Sequence, residues 1–181
     1  MRLQSILVLS WCWACSPQPV PVSQPAANQA APPSAAVLEL PHAKQPLAGV
    51  TTGGKPSDAQ LLQAKQLGYH SVISLLPESE MLGEAERVRE LGMRFVSIPV
   101  PDASGLTEAN ARRLAEAMDA PDAKPLVLHC GTGNRAGALL ALRAFYVDGA
   151  KASQALELGE RAGLTSLRPQ VEAQLQAAAA R

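Results

Sequence analysis

The residues His129-Cys130-Gly131-Thr132-Gly133-Asn134-Arg135 combine a thiol, two glycines and a guanidinium within one short turn. The apolar run Leu126-Val127-Leu128 leads in, and an almost uniformly apolar run from Ala136 leads out. Strand, tight turn and helix start together form an anion cradle, because backbone N–H groups face inward and the helix dipole favours negative charge there. The same donors favour a thiolate at Cys130, and the thiolate is the nucleophilic form. Arg135 supplies a planar, two-pronged donor suited to an oxyanion. Gly131 and Gly133 permit positive φ and close approach of a ligand to the backbone. Thr132, Asn134 and His129 complete the expected binding contacts, although Asn134 can simply cap the turn and His129 can equally be a structural residue that braces the loop.

Such a turn needs a sheet to hold it, and the chain before it alternates between strands and helices. Leu47-Ala48-Gly49-Val50 reads as a weak first strand, followed by a turn over Thr51–Lys55. Ser57-Asp58-Ala59-Gln60 is a capping-box pattern next to Pro56, and it predicts a helix that runs to Leu67 and stops at Gly68. Ser71–Leu76 is a buried strand ended by Pro77. Gly83–Leu91 is a helix stopped by Gly92, and Phe95–Ile98 is a strand closed by Pro99 and Pro101. Thr107-Glu108 opens a helix to about Met118, and Pro121–Pro125 turns the chain into the strand before Cys130. Helices over about Ala136–Val147, Ser153–Ala162 and Leu167–Ala180 finish the pattern. The expected fold is α/β, with a central, mostly parallel sheet flanked by helices. In such sheets ligands bind at the carboxyl ends of strands, which is where the turn lies.

With 181 residues, 47% of them hydrophobic but only 3% aromatic, the chain can build one domain around an aliphatic core. The formal net charge is zero and no basic block is present, which argues against nucleic acid as a partner. The N-terminus differs from the rest. Met1-Arg2 is followed by an apolar run from Ile6 to Ala14, then by a stretch rich in Pro, Ala, Ser and Gln. This is the layout of a secretory signal peptide, and Cys15 after the small Ala14 resembles a bacterial lipoprotein site. The expected organisation is a signal peptide over residues 1–15, a Pro/Ala-rich spacer over 16–45 and a folded domain over 46–181. The protein is then exported, either periplasmic or held at a membrane through a lipidated Cys15. With Cys12 removed and Cys15 lipidated, Cys130 becomes the one thiol of the folded domain, with no intramolecular disulfide partner.

From about Gly49 to Ser166 the chain resembles the cysteine-dependent phosphatases of the tyrosine and dual-specificity type. It is most similar to their bacterial branch of beta-lactamase-hydrolase-like, phosphatase-like domains. The resemblance rests on Thr52-Gly53-Gly54-Lys55-Pro56-Ser57, Val72-Ile73-Ser74-Leu75, Ile98-Pro99-Val100, the turn His129–Arg135 and Ala162-Gly163-Leu164-Thr165-Ser166. It implies a single phosphatase-like α/β domain in which Cys130 is the nucleophile and Arg135 the oxyanion clamp. Asp102, just after Pro99-Val100-Pro101, stands where the resemblance places the general acid; a turn aspartate is the plain alternative. Two departures stand out. Four residues separate Cys130 from Arg135 where these phosphatases carry five, a spacing shared with many rhodanese-type sulfurtransferases. Ala136 occupies the place of the usual Ser or Thr.

The leading expectation is therefore a phosphomonoesterase acting on a phosphorylated small molecule or protein, with no cofactor. A sulfurtransferase that takes sulfur from a donor as a Cys130 persulfide, or a non-catalytic oxyanion-binding module, are the alternatives. Lys55 reads as a surface lysine that could attract an anion. Glu78, Glu80, Glu84 and Glu86 read as a solvated helix face. The histidines His42, His70 and His129 show no metal-ligand spacing.

Overall fold

A computed structural model describes residues 37–180. The expected signal peptide and residues 16–36 of the spacer lie outside the described residues. Five strands form one sheet in the order β1-β2-β5-β3-β4: β1 (Lys44–Leu47), β2 (Val50–Gly53), β3 (Ser71–Ser74), β4 (Arg94–Ser97) and β5 (Leu126–His129). Only the β1–β2 pair is antiparallel, so the mostly parallel sheet matches the expectation. Helices α1 (Asp58–Gln66), α2 (Glu84–Glu90), α3 (Glu108–Asp119), α4 (Asn134–Tyr146), α5 (Ala152–Arg161) and α6 (Arg168–Ala179) cover its faces.

Local chemistry sets most boundaries. Ser57 and Gln60 close a reciprocal capping box at the start of α1, and Thr107 caps α3 through the Asn110 N–H. Two regions depart from the sequence reading. The expected single strand 47–50 and turn 51–55 are a hairpin: the chain reverses at Ala48-Gly49, and Val50–Gly53 pairs in register with Leu126–His129. That partner lies far away in sequence, and the buried Thr51 and Thr52 are tolerated because their hydroxyls bond Tyr69 and the Ala162 carbonyl. The folded domain also begins before residue 46, since Leu38 and Leu40 are buried against Leu61, Val72 and Val127. Apolar burial there outweighs the proline-rich composition.

The sheet divides the core in two. Val72 and Val127 face α1 and α2, while Ile73, Leu126 and Leu128 face α3 to α6. The second layer is the larger, and α4 runs through it with Ala136 to Ala144 buried on every side. Gly137 permits the crossing with α5: a Cβ there would lie 2.3 Å from the Leu164 nitrogen and 2.6 Å from the Gly159 carbonyl oxygen.

Candidate active site

The central strand β5 delivers Cys130 to the carboxyl edge of the sheet. Alternation along the strand puts Leu126, Leu128 and Cys130 on the α3–α6 face, with Val127 on the other. The neighbouring strands fasten the turn from both sides. The Cys130 N–H donates to Gly53 at 3.3 Å, the Leu75 N–H donates to the His129 carbonyl at 2.9 Å, and Gly54 bridges Thr132. Gly133 then ends the turn at φ +94 and precedes the first residue of α4. Only a residue free of the left-handed penalty allows strand, turn and helix to join so tightly. As a result the Gly133 N–H donates to Cys130 Sγ at 3.1 Å, and the sulfur sits at the positive end of α4. Cys130 is a free thiol, 1% exposed, while Gly131 and Thr132 form an exposed lip.

Arg135 reaches back across the turn. Its Nη1 donates to the Val100 carbonyl at 2.8 Å and to Pro101 at 3.4 Å, and its Nη2 lies 3.6 Å from Glu80 Oε2. A Cβ built on Gly131 would sit 3.5 Å from Nη2, so the guanidinium lies over the lip of the cradle. Arg135 thereby joins the turn to the segment carrying Asp102. That carboxylate is exposed and caps the short 3-10 turn Ala103–Gly105, accepting the Ser104 N–H at 2.7 Å. Its hydrogen bonds from Ser104 hold its carboxyl below the ordinary value of 3.8.

Two expected ligand contacts are used differently. His129 is 0% exposed on the face opposite Cys130, and its Nε2 lies 2.6 Å from Oε1 of the buried Glu84. The two groups are in close polar contact, but the angle is not that of a hydrogen bond, and His129 Nδ1 has no protein partner among the described residues. A ring so enclosed braces the strand from below, against α2. Asn134 turns away from the cradle: its Oδ1 accepts the Thr165 N–H at 2.8 Å and its Nδ2 donates to Ser166 at 2.7 Å. It ties the start of α4 to the loop between α5 and α6.

The acidic run is exposed at Glu78, Glu80 and Glu86, as expected of a solvated face, and departs from that at Glu84. Glu84 is 5% exposed, and Glu80 lies against Arg135 while its carbonyl accepts from Lys55 Nζ. A hint was present in the sequence. Glu84 and Val88 stand four apart on one helical face, so a buried Val88 carries Glu84 inward with it. Among the described residues no group of three or more His, Cys, Asp or Glu converges as a metal site.

No family model matches the sequence, and no curated protein is significantly similar to it. Solved structures are similar in fold. The catalytic core of the PP-IP phosphatase SIW14 from S. cerevisiae superposes with a TM-score of 0.61 at 14% identity, covering 77% of this chain and 88% of that one. The active form of Tk-PTP superposes at 0.59 with 22% identity over 76% and 97% of the two chains. TpbA from P. aeruginosa, in complex with pTyr, superposes at 0.54 with 17% identity over 72% and 78%. The chain thus shares the α/β fold of these phosphatases, with its cysteine turn at the carboxyl edge of the sheet.

Proposed function

We propose that this chain is a cysteine-based phosphomonoesterase that hydrolyses a phosphorylated small molecule or protein. The observation that carries the reading is the Gly133 N–H directed at Cys130 Sγ from the start of α4, with Arg135 lying over the lip of the same turn. In this scheme the Cys130 thiolate attacks phosphorus, and the bond from phosphorus to the ester oxygen breaks. The backbone of the Gly131–Asn134 turn and the Arg135 guanidinium hold the equatorial oxygens as charge builds on them. Asp102 protonates the departing oxygen once substrate binding frees its carboxyl from the Ser104 hydrogen bonds that hold it low. Water then attacks the cysteinyl phosphate, releasing orthophosphate and restoring the thiolate. No cofactor enters the scheme.

Hydrolysis of p-nitrophenyl phosphate, inhibited by vanadate and abolished in Cys130→Ser, is the expected result. Turnover that survives this substitution overturns the proposal. A second reading, sulfur transfer through a Cys130 persulfide, is favoured by the four-residue spacing to Arg135 and by Ala136, which offers no hydroxyl to help the thiolate leave. Intact mass after thiosulfate treatment separates the two: a gain of one sulfur atom that is lost in Cys130→Ser supports sulfur transfer.

The reading also includes export, with tethering through a lipidated Cys15. Its support is the N-terminal pattern Ile6–Ala14 followed by Cys15 and the Pro/Ala-rich stretch. Labelling of growing cells with a fatty acid, lost in Cys15→Ala, tests it.

A further inference from the structure

Lys55 stands at the edge of the cradle for reasons of backbone geometry. β2 ends at Gly53, and Gly54 forms a bridge to Thr132 in the cysteine turn. The approach is so close that a Cβ on Gly54 would meet the Gly131 carbonyl oxygen at 2.9 Å and the Pro41 side chain at 2.9 Å. The next residue but one, Pro56, is buried, and Ser57 caps α1. Lys55 is therefore held between anchored neighbours, with its side chain exposed beside the lip.

Its charge has no counter-ion among the described residues. The ammonium donates to the carbonyl of Glu80, which leaves two of its three hydrogens for other acceptors. The Glu80 carboxylate instead lies 3.6 Å from Arg135 Nη2. Lys55 and Arg135 thus converge on one residue whose single negative charge faces Arg135.

From this arrangement we infer that Lys55 is a second anion contact, which makes the site selective for phosphate esters bearing a further phosphate or carboxylate near the scissile group. The inference rests on the phosphomonoesterase reading and names its substrate class. With the scissile phosphate under Arg135, a neighbouring anion of the substrate on the β2 side meets the Lys55 ammonium. A charge-assisted contact of this kind is selective because it is absent for a substrate with one anionic group.

The test is calorimetric binding of two stable probes to the full chain: methylphosphonate, with one anionic group, and methylenediphosphonate, with two. The wild type is expected to bind methylenediphosphonate about tenfold more tightly or better. Lys55→Gln should reduce that preference by about five- to tenfold while leaving methylphosphonate affinity within about twofold, and Lys55→Arg should keep it. A preference unchanged in Lys55→Gln, an equal loss for both probes, or no binding of either overturns the inference. Because no turnover is read, the result is separate from that of Cys130→Ser on p-nitrophenyl phosphate. A Lys55-dependent preference in a protein that hydrolyses nothing sinks the enzymatic reading alone.

Discussion

Glu84 Oε1 lies 2.6 Å from His129 Nε2, sealed beneath the strand whose next residue is Cys130. Both side chains are buried, so either one alone would be a polar group without water or partner. The contact joins α2 to the end of β5, on the face of the sheet opposite the cradle. Glu84→Ala should therefore lower the unfolding free energy by about 1–3 kcal/mol, the cost of leaving a buried polar group without its partner. Urea denaturation reads it. A loss below about 1 kcal/mol would mean that the pair contributes nothing that water cannot replace.

Arg135→Lys is expected to reduce kcat/KM on p-nitrophenyl phosphate by about 10²-fold or more. An ammonium is a point charge and cannot both donate to Val100 and present a flat pair of donors to an oxyanion. Activity within threefold of wild type would remove Arg135 from the oxyanion clamp.

Asp102 offers a check on acid stability and on catalysis. Its carboxyl is held low by Ser104, so the cap it forms is fully present above the ordinary value of 3.8 and is lost as pH falls through the lower folded value. Asp102→Ala, which removes the acceptor, should thus have a lower thermal midpoint than wild type at pH 6, and the gap should narrow toward pH 2. As a general acid, Asp102 matters most for poor leaving groups. The same variant should lose at least tenfold more activity on an alkyl phosphate than on p-nitrophenyl phosphate. Equal losses on both would leave Asp102 as a turn residue only.

Asn134→Ala separates a brace from a ligand contact. Its side chain holds the N–H of Thr165 and the hydroxyl of Ser166, so the substitution should cost about 1–3 kcal/mol of stability. Phosphate affinity measured by calorimetry should stay within about twofold. A tenfold loss of affinity at unchanged stability would return Asn134 to the binding set.

Much of the architecture was legible in local patterns. Ser57 and Gln60 announce α1, Gly68 and Gly92 end their helices at positive φ, and the turn from Cys130 to Arg135 shows its strand–loop–helix setting in sequence. These features depend on residues close in the chain, where capping bonds and left-handed glycines act alone. The hairpin of β1 and β2 was not legible, because Val50–Gly53 becomes a strand only by pairing with residues 126–129. The strand–turn–helix setting of Cys130 and Arg135 was determined by the sequence itself. Which side chains surround them was decided by the tertiary structure: β-alternation sends His129 to the far face, α2 carries Glu84 under it, and the loop after α5 captures Asn134. Burial and long-range pairing assign those partners, and no local spacing encodes either.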